Sequence, residues 1–221
     1  FSFTYNGVVY ASGANFYVNT NGFVSFGAAS PTAATYGPIG STNVYDGAIS
    51  GFGLDANGGY AAVGSNTTGS PDLTITGGTT SEFIVGAPVA GTGIPAGATV
   101  VSTTPTTVTL SVNCTSTGVA RTFHVGTGQI SYQVLGSTPN QKLVVQFTRM
   151  RQYNTTLRTN DYQIVLNETT NAIDIVYGFS IGSALANSVP QVGLRGATNA
   201  AYNNRTSTTS WATTTAGTVN T

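Results

Sequence analysis

Alternating apolar and polar residues dominate the middle of the chain and predict three consecutive β-segments. The segments are Gln129–Leu135, Gln141–Met150 and Tyr162–Phe179. In each of them apolar side chains recur at every second position, which is the period of a strand. The third segment holds two such runs joined by the polar stretch 168–171, which predicts a β-hairpin. Ile130, Tyr132 and Val134 share one face of the first segment, and Leu143, Val145 and Phe147 share one face of the second. In the third segment the side chains expected to point inward are those of Ile164, Leu166, Ile173, Ile175 and Tyr177.

The first part of the chain, residues 1–27, carries the same pattern in shorter runs. Asn6-Gly7 and Asn21-Gly22 each separate two apolar runs. Asn-Gly in this position is a strong hairpin signal, because both residues tolerate a positive φ angle. The sequence therefore predicts a β-meander here.

Residues 69–128 differ in character, with closely spaced Val- and Thr-rich runs between ends rich in Gly, Ser and Thr. Insertions are tolerated at exposed loop tips of this composition. We therefore predict an inserted small β-domain at 69–128 within a discontinuous domain formed by 1–68 and 129–221. The insert either makes contacts with a ligand or another subunit, or is an elaborated loop without a role. Since no helical periodicity occurs, the predicted fold class is all-β, an antiparallel, jelly-roll-like β-sandwich with this insert.

Three sequence motifs occur in an order that resembles a known family. They are F-x-F-x-Y-N-G-x-x-Y followed by V-N-T-N-G-F-V-S-F-G near the start, the segment 140–178, and Val189–Arg205. Together they resemble extracellular β-sandwich modules related to the nidogen-type domain, which recur in secreted proteins of the Bacteroidetes. The run Gly91–Val100 resembles a small β-module of viral tail and bacterial surface proteins. The resemblance implies a secreted, surface-associated module and brings no catalytic residues with it.

Charge is scarce in this chain, with 7 Lys and Arg, 7 Asp and Glu, and a net charge of zero. Phosphate binding needs clustered Lys and Arg, so nucleic acid is excluded as a partner. No apolar run reaches the roughly 18 residues of a spanning helix, so we expect no membrane span. A neutral surface of Thr, Ser, Asn and Gly gives little repulsion between copies and favours association. We expect an extracellular or cell-surface protein whose partners are copies of itself, other surface proteins or glycans.

The sequence offers little for catalysis or metal binding. Cys114 and His124 are the single residues of their types, so neither a zinc site nor a Ser/His/Asp triad is expected. A glycosidase needs two suitably spaced carboxylates, and the Asp and Glu residues of this sequence do not suggest such a pair. We therefore predict a protein that is not an enzyme and needs no cofactor. Asp55 and Asn57 in a D-x-N-G turn, with Asp46 joined only through the fold, form a weak calcium candidate, and a plain Gly-rich turn is the alternative.

The arginines are expected to serve the fold. Arg149 and Arg151 should emerge at the end of the sheet and pair with Asp161 or Glu168. Arg195, together with Arg205, should donate hydrogen bonds at the surface.

Two functional hypotheses follow. In the first, the chain is a non-catalytic structural or adhesive subunit that self-assembles into a surface filament or forms a module of a larger surface fibre. Its physical basis is that few charges are available to protect open strand edges from pairing. In the second, it is a lectin-like carbohydrate-binding module, in which exposed aromatic rings stack on sugars. The candidates for that platform are Tyr36, Tyr45, Tyr60, Tyr202 and Trp211.

Overall fold

The computed structural model describes residues 1–11, 13–27, 31–32, 35–126, 128–153, 159–181, 190–206 and 215–220. Within these ranges the chain forms strands and turns, and no helix long and apolar enough to cross a membrane occurs. The fold is an all-β, antiparallel β-sandwich, which confirms the predicted fold class. The chain divides into two compact units, a first unit of Phe1–Asn57 with Ile130–Thr221 and a second unit of Gly58–Gln129.

The strands are numbered in chain order. They are β1 (Phe3–Tyr5), β2 (Val8–Tyr10), β3 (Phe16–Asn19), β4 (Phe23–Phe26), β5 (Gly47–Gly53), β6 (Ala56–Asn57), β7 (Gly59–Asn66), β8 (Asp72–Gly77), β9 (Val89–Gly91), β10 (Val100–Thr103), β11 (Thr107–Leu110), β12 (Gly118–Gly126), β13 (Gln129–Leu135), β14 (Lys142–Gln152), β15 (Thr159–Asn167), β16 (Ile173–Ile181), β17 (Gln191–Arg195), β18 (Tyr202–Thr206) and β19 (Thr215–Asn220).

Two sheets form the layers of the first unit. One has the strand order β19-β18-β17-β5-β4-β3, and the other, here called the four-stranded sheet, has the order β13-β14-β15-β16. The short strand β6 pairs with the end of β14. Apolar side chains of both layers meet in one buried cluster, because alternation along each strand directs every second residue inward. That cluster contains Phe3, Tyr5, Val24, Phe26, Ile49, Phe52, Leu54, Leu143, Val145, Phe147, Met150, Tyr162, Ile164 and Leu166.

The strands predicted from the central alternation are present and pair in chain order. β15 and β16 are antiparallel neighbours, and the turn between them carries positive φ angles at Thr169 (62°) and Asn171 (52°). The predicted hairpin is thereby confirmed. The side chain of Tyr132 is 75% exposed, although it shares a face of the strand with Ile130. β13 lies at the end of its sheet, and on this strand it is Ile130 that packs against the core.

The two Asn-Gly hairpins near the start of the chain are also confirmed. Asn6 and Gly7 both have positive φ angles, and β1 pairs with β2. These two strands nevertheless form a separate two-stranded sheet, so the first 27 residues are not one continuous meander. On its other side β1 is held by side chains. The Ser2 amide donates to Glu168 Oε1 at 3.2 Å, and the Thr4 amide donates to Asn171 Oδ1 at 2.7 Å.

The second unit is built on a sheet of the order β10-β11-β8-β7-β12-β9. Its own apolar cluster includes Tyr60, Leu73, Phe83 and Phe123, and it also contains Cys114. The sequence analysis placed the boundary of this part at 68/69. In the structure it lies at 57/58, because β7 pairs with β8 and β12 and therefore belongs to the second unit.

Gly22 marks the closest approach between the two layers of the first unit. Its φ angle is +91°, and its carbonyl oxygen accepts hydrogen bonds from the amides of Gly51 and Phe52. A Cβ atom at this position would overlap the Phe52 carbonyl oxygen and lie 2.7 Å from the Tyr162 hydroxyl. Glycine is therefore needed here for space as well as for backbone conformation.

We predict that Gly22→Ala lowers the free energy of unfolding by roughly 3 kcal/mol or more, since it adds a backbone clash to the strain of a left-handed residue. Gly7→Ala is the matched control, because Gly7 also has a positive φ angle (77°) and an added Cβ would meet nothing within 4 Å. The control should cost only about 1 kcal/mol. Urea unfolding monitored by circular dichroism measures both, and equal losses would contradict the clash.

Three tyrosines place phenol groups inside the first unit, with Tyr5 and Tyr162 buried and Tyr177 half-buried. The Tyr5 hydroxyl donates to the carbonyls of Ala48 and Arg195, and the Tyr177 hydroxyl donates to the Gly51 carbonyl at 2.6 Å. Burial raises the pKa of Tyr5, Tyr162 and Tyr177 above the ordinary tyrosine value. The folded state therefore keeps these phenols neutral where the unfolded chain ionises them.

This difference predicts alkaline destabilisation. The contribution of these phenols is fully present below pH of about 10, the tyrosine pKa of an unfolded chain, and is lost as the pH rises through their folded pKa. The loss should reach up to about 1.4 kcal/mol per pH unit for each such tyrosine. Urea unfolding between about pH 8 and pH 12 measures the slope. Tyr177→Phe should make it shallower, with Tyr36→Phe as the control for an exposed ring, and an unchanged slope in Tyr177→Phe would contradict the assignment.

Candidate functional site

The outer face of the four-stranded sheet forms a groove of about 820 Å³ across β14, β15 and β16. Val165 lies at its floor between Val144 and Asp174, its partners on the two neighbouring strands. Since Ile164 and Leu166 belong to the core, the side chain of Val165 points to the opposite face. It is nevertheless only 7% exposed, so the groove has an apolar floor.

Polar side chains border this floor in pairs. Gln163 Nε2 donates to Gln146 Oε1 at 2.6 Å, and Asn167 Nδ2 donates to Asp174 Oδ2 at 2.9 Å. Lys142 lies opposite Asn167 on the neighbouring strand, so the groove carries one positive and one negative group. A single carboxylate cannot supply the acid and base pair of a glycosidase. The groove is suited to contact with neutral, partly apolar groups of a binding partner.

The two ends of the same sheet are β13 and β16. β13 contains no charged residue, and the side chains of Tyr132, Val134 and Leu135 are exposed on it. β16 carries one charged residue, Asp174, and exposes Val176, 49% of whose surface is accessible. Natural proteins usually protect such edges with Lys, Pro or bulges. We take these two strands and the adjoining groove as the candidate functional site.

Two of the five residues of the predicted aromatic platform are not exposed, as stacking on a sugar requires. Tyr45 and Tyr60 are buried, at 2% and 4% exposure, and they lie in different units, so including them was wrong. They are buried because each ring fills an apolar cluster of its own unit. Tyr36 is exposed and Tyr202 is half-buried. Trp211 lies outside the residues that the structure describes.

The backbones of the three calcium candidates take part in strand pairing or in backbone hydrogen bonds. Asn57 belongs to β6 and pairs with Arg151, while the Asp55 carbonyl accepts from the Tyr153 amide at 2.8 Å. The Asp46 amide donates to the Phe26 carbonyl. Among the described residues, no three His, Cys, Asp or Glu side chains come together as a ligand set. Calcium binding by Asp46, Asp55 and Asn57 stays a prediction.

The sequence analysis missed a buried cation. Arg195 was expected at the surface, but it is buried and its Nη1 and Nη2 atoms donate to the carbonyls of Pro38 and Asn43, at 3.1 and 2.7 Å. Its guanidinium lies 4.7 Å from the centroid of the Tyr45 ring. Burial lowers the pKa of Arg195 from the ordinary arginine value. Arg195 therefore fixes the segment 35–46 against the sheet.

One further arginine expectation was wrong, that for the position of Arg151, whereas pairing of either arginine with Asp161 or Glu168 stays a prediction. Arg151 is buried instead of emerging at the end of the sheet. Asp161 accepts from the backbone amide of Arg149, which has a positive φ angle at a bulge of β14. Glu168 accepts from the backbone amides of Ser2 and Gln141. These carboxylates therefore hold backbone amides of the chain.

We predict that Arg195→Ala costs about 2–4 kcal/mol of unfolding free energy, because two buried carbonyls lose a charged donor. Limited proteolysis should then cut within 35–46 before the rest of the first unit. Arg205→Ala removes an exposed arginine of the neighbouring strand and serves as the matched control. Equal protease resistance of the two variants would show that Arg195 does not hold this segment.

The chain was compared with known proteins. A family model described as NIDO related matches residues 96–221, which is more than half of the chain. The match covers the four-stranded sheet with both of its edges. No curated protein and no solved structure matches the chain.

Proposed function

The chain belongs to the NIDO-related family, and from this premise we propose that it is a non-catalytic extracellular module that associates with copies of itself at the cell surface. It serves as a structural or adhesive subunit of a filament, or as one module of a larger surface fibre. The motif order that resembles modules of the Bacteroidetes supports a bacterial surface protein as the source.

The observation that carries the proposal is the unprotected edge β13. Its seven residues include no charge, and the side chains of Tyr132, Val134 and Leu135 are left uncovered by the described part of the chain. An edge strand offers a row of unpaired amides and carbonyls, and exposed apolar side chains beside it add a hydrophobic contribution to pairing. A net charge of zero supplies no long-range repulsion to oppose the approach of a second copy.

The groove supports a binding role over a catalytic one. Gln163 and Asp174 are hydrogen-bonded to the neighbouring Gln146 and Asn167, and Asp174 is the one carboxylate among the residues that line the groove. The second unit contains Gly91–Val100, the run that resembles a small β-module of viral tail and bacterial surface proteins. In this proposal it is a decoration of the fibre surface.

Sedimentation velocity and light scattering over a concentration series test the proposal, with negative-stain electron microscopy of the concentrated sample. We expect oligomers that grow with concentration and give linear assemblies. Since the contact is made by backbone and apolar groups, association should persist at about 1 M salt, where surface ion pairs are screened. A chain that stays monomeric at every concentration, particularly one that binds oligosaccharides instead, would refute self-association.

A further inference from the structure

We infer that copies of this chain join through the four-stranded sheet, with β13 of one copy adding as a strand to β16 of the next. The inference rests on the proposed function and names its interface. The β13 edge of each copy therefore pairs with the β16 edge of a second copy, and the sheet continues from one molecule into the next.

Strand direction makes this pairing possible. β14, β15 and β16 are antiparallel neighbours. β13 joins β14 through residues 136–141, which is too short for the crossover that a parallel pair requires, so these strands are antiparallel as well. In a sheet of four alternating strands the two end strands run in opposite directions. A second copy placed beside the first in the same orientation therefore brings β13 antiparallel to β16.

The inner faces of the two edges are complementary. Ile130 packs against the core, so Tyr132 and Val134, which share its face, lie along the same side of the sheet. Both are exposed there. At the opposite edge, Ile173 and Tyr177 are only partly buried against the core. Pairing of the edges would bring the partly exposed apolar side chains of β13 and β16 together on one face of the sheet.

The outer faces bring no like charges together. On this side β13 presents Ser131, Gln133 and Leu135, which introduce no charge beside Asp174 of β16. Leu135 is exposed in the single chain, and Val176 of β16 borders the groove. The added strand would therefore extend the apolar floor of the groove without placing a second charge in it.

Of the two edges of the other sheet, β3 is a weaker candidate. β3 is four residues long, against seven for β13 and nine for β16. A pairing of unlike edges is heterologous, so each added copy leaves one new open edge of each kind. The geometry therefore produces an open chain of copies, whereas pairing of β13 with β13 would stop at a dimer.

Two edge variants separate these arrangements. Tyr132→Lys places a charge on β13, and Val176→Lys places one on β16. Both replace exposed side chains, so each variant should fold, with its unfolding curve as the check. Val44→Lys, at an exposed position outside the strands, is the control for the added charge. Sedimentation velocity should find association weakened at least about tenfold in each edge variant alone, and unchanged in the control.

Mixing the variants is the decisive step. An equimolar mixture of Tyr132→Lys and Val176→Lys holds one intact β13 edge and one intact β16 edge, so we expect one-to-one dimers that do not grow further. Dimers of Val176→Lys alone would establish pairing of like edges and overturn the inference. Unchanged growth in both variants would also overturn it while leaving the proposed function in place. If the unmodified chain does not associate at all, that result refutes the proposed function itself, and the inference falls with it.

Discussion

The apolar layer between the two sheets of the first unit is the constraint on which the rest of that unit depends, and Tyr162 lies at its centre. Its ring stacks on Phe147 with centroids 4.6 Å apart. Gly22 and Gly51 of the opposite layer leave the space that the Tyr162 side chain fills, since a Cβ atom at either position would lie 2.7 Å from it. A large ring in one sheet is thus matched by missing side chains in the other. The turn before β4, the middle of β5 and the register of β15 are fixed together by this contact.

Alternation along the chain predicted β14, β15 and β16 together with their turn, because a period of two identifies both the strand and the face it buries. It could not predict how far the opposite sheet covers that face, and Tyr132 is therefore exposed despite its inward parity. The boundary at Gly58 was missed for a similar reason. β7 alternates like a strand of the sandwich, and only its pairing with β8 and β12 assigns it to the second unit. For the candidate site, the sequence predicted only that few charges would protect the strand edges. It could not identify β13 and β16 as those edges, because that depends on the order of the strands in the sheet.

Side-chain amides of Asn and Gln make hydrogen bonds to the backbone that charged side chains make in many other proteins. Gln191 Oε1 accepts from the backbone amides of Ile39 and Gly40, and Asn21 bonds to the backbone of Thr35 and Ala56. Such neutral groups satisfy buried backbone without the desolvation cost of an ion. Arg195 is one of the charged groups that also satisfy buried backbone, and it is tolerated because two carbonyls and the Tyr45 ring surround its guanidinium. A chain with few charges can therefore hold long loops firmly while its surface stays neutral.

The side-chain attachment of β1 has a consequence for the order in which the first unit opens. β1 shares a backbone ladder with β2 alone, and its other side is held by Glu168 and Asn171. Release of this hairpin would break no ladder of either main sheet. The packing of Phe3 and Tyr5 would resist it, together with the hydrogen bonds of the Tyr5 hydroxyl and those to Glu168 and Asn171. The hairpin is therefore a separate cooperative element with its own opening free energy. Amide hydrogen exchange at Ser2 and Thr4 would report on that local event, whereas exchange within β14 and β15 would report on global unfolding.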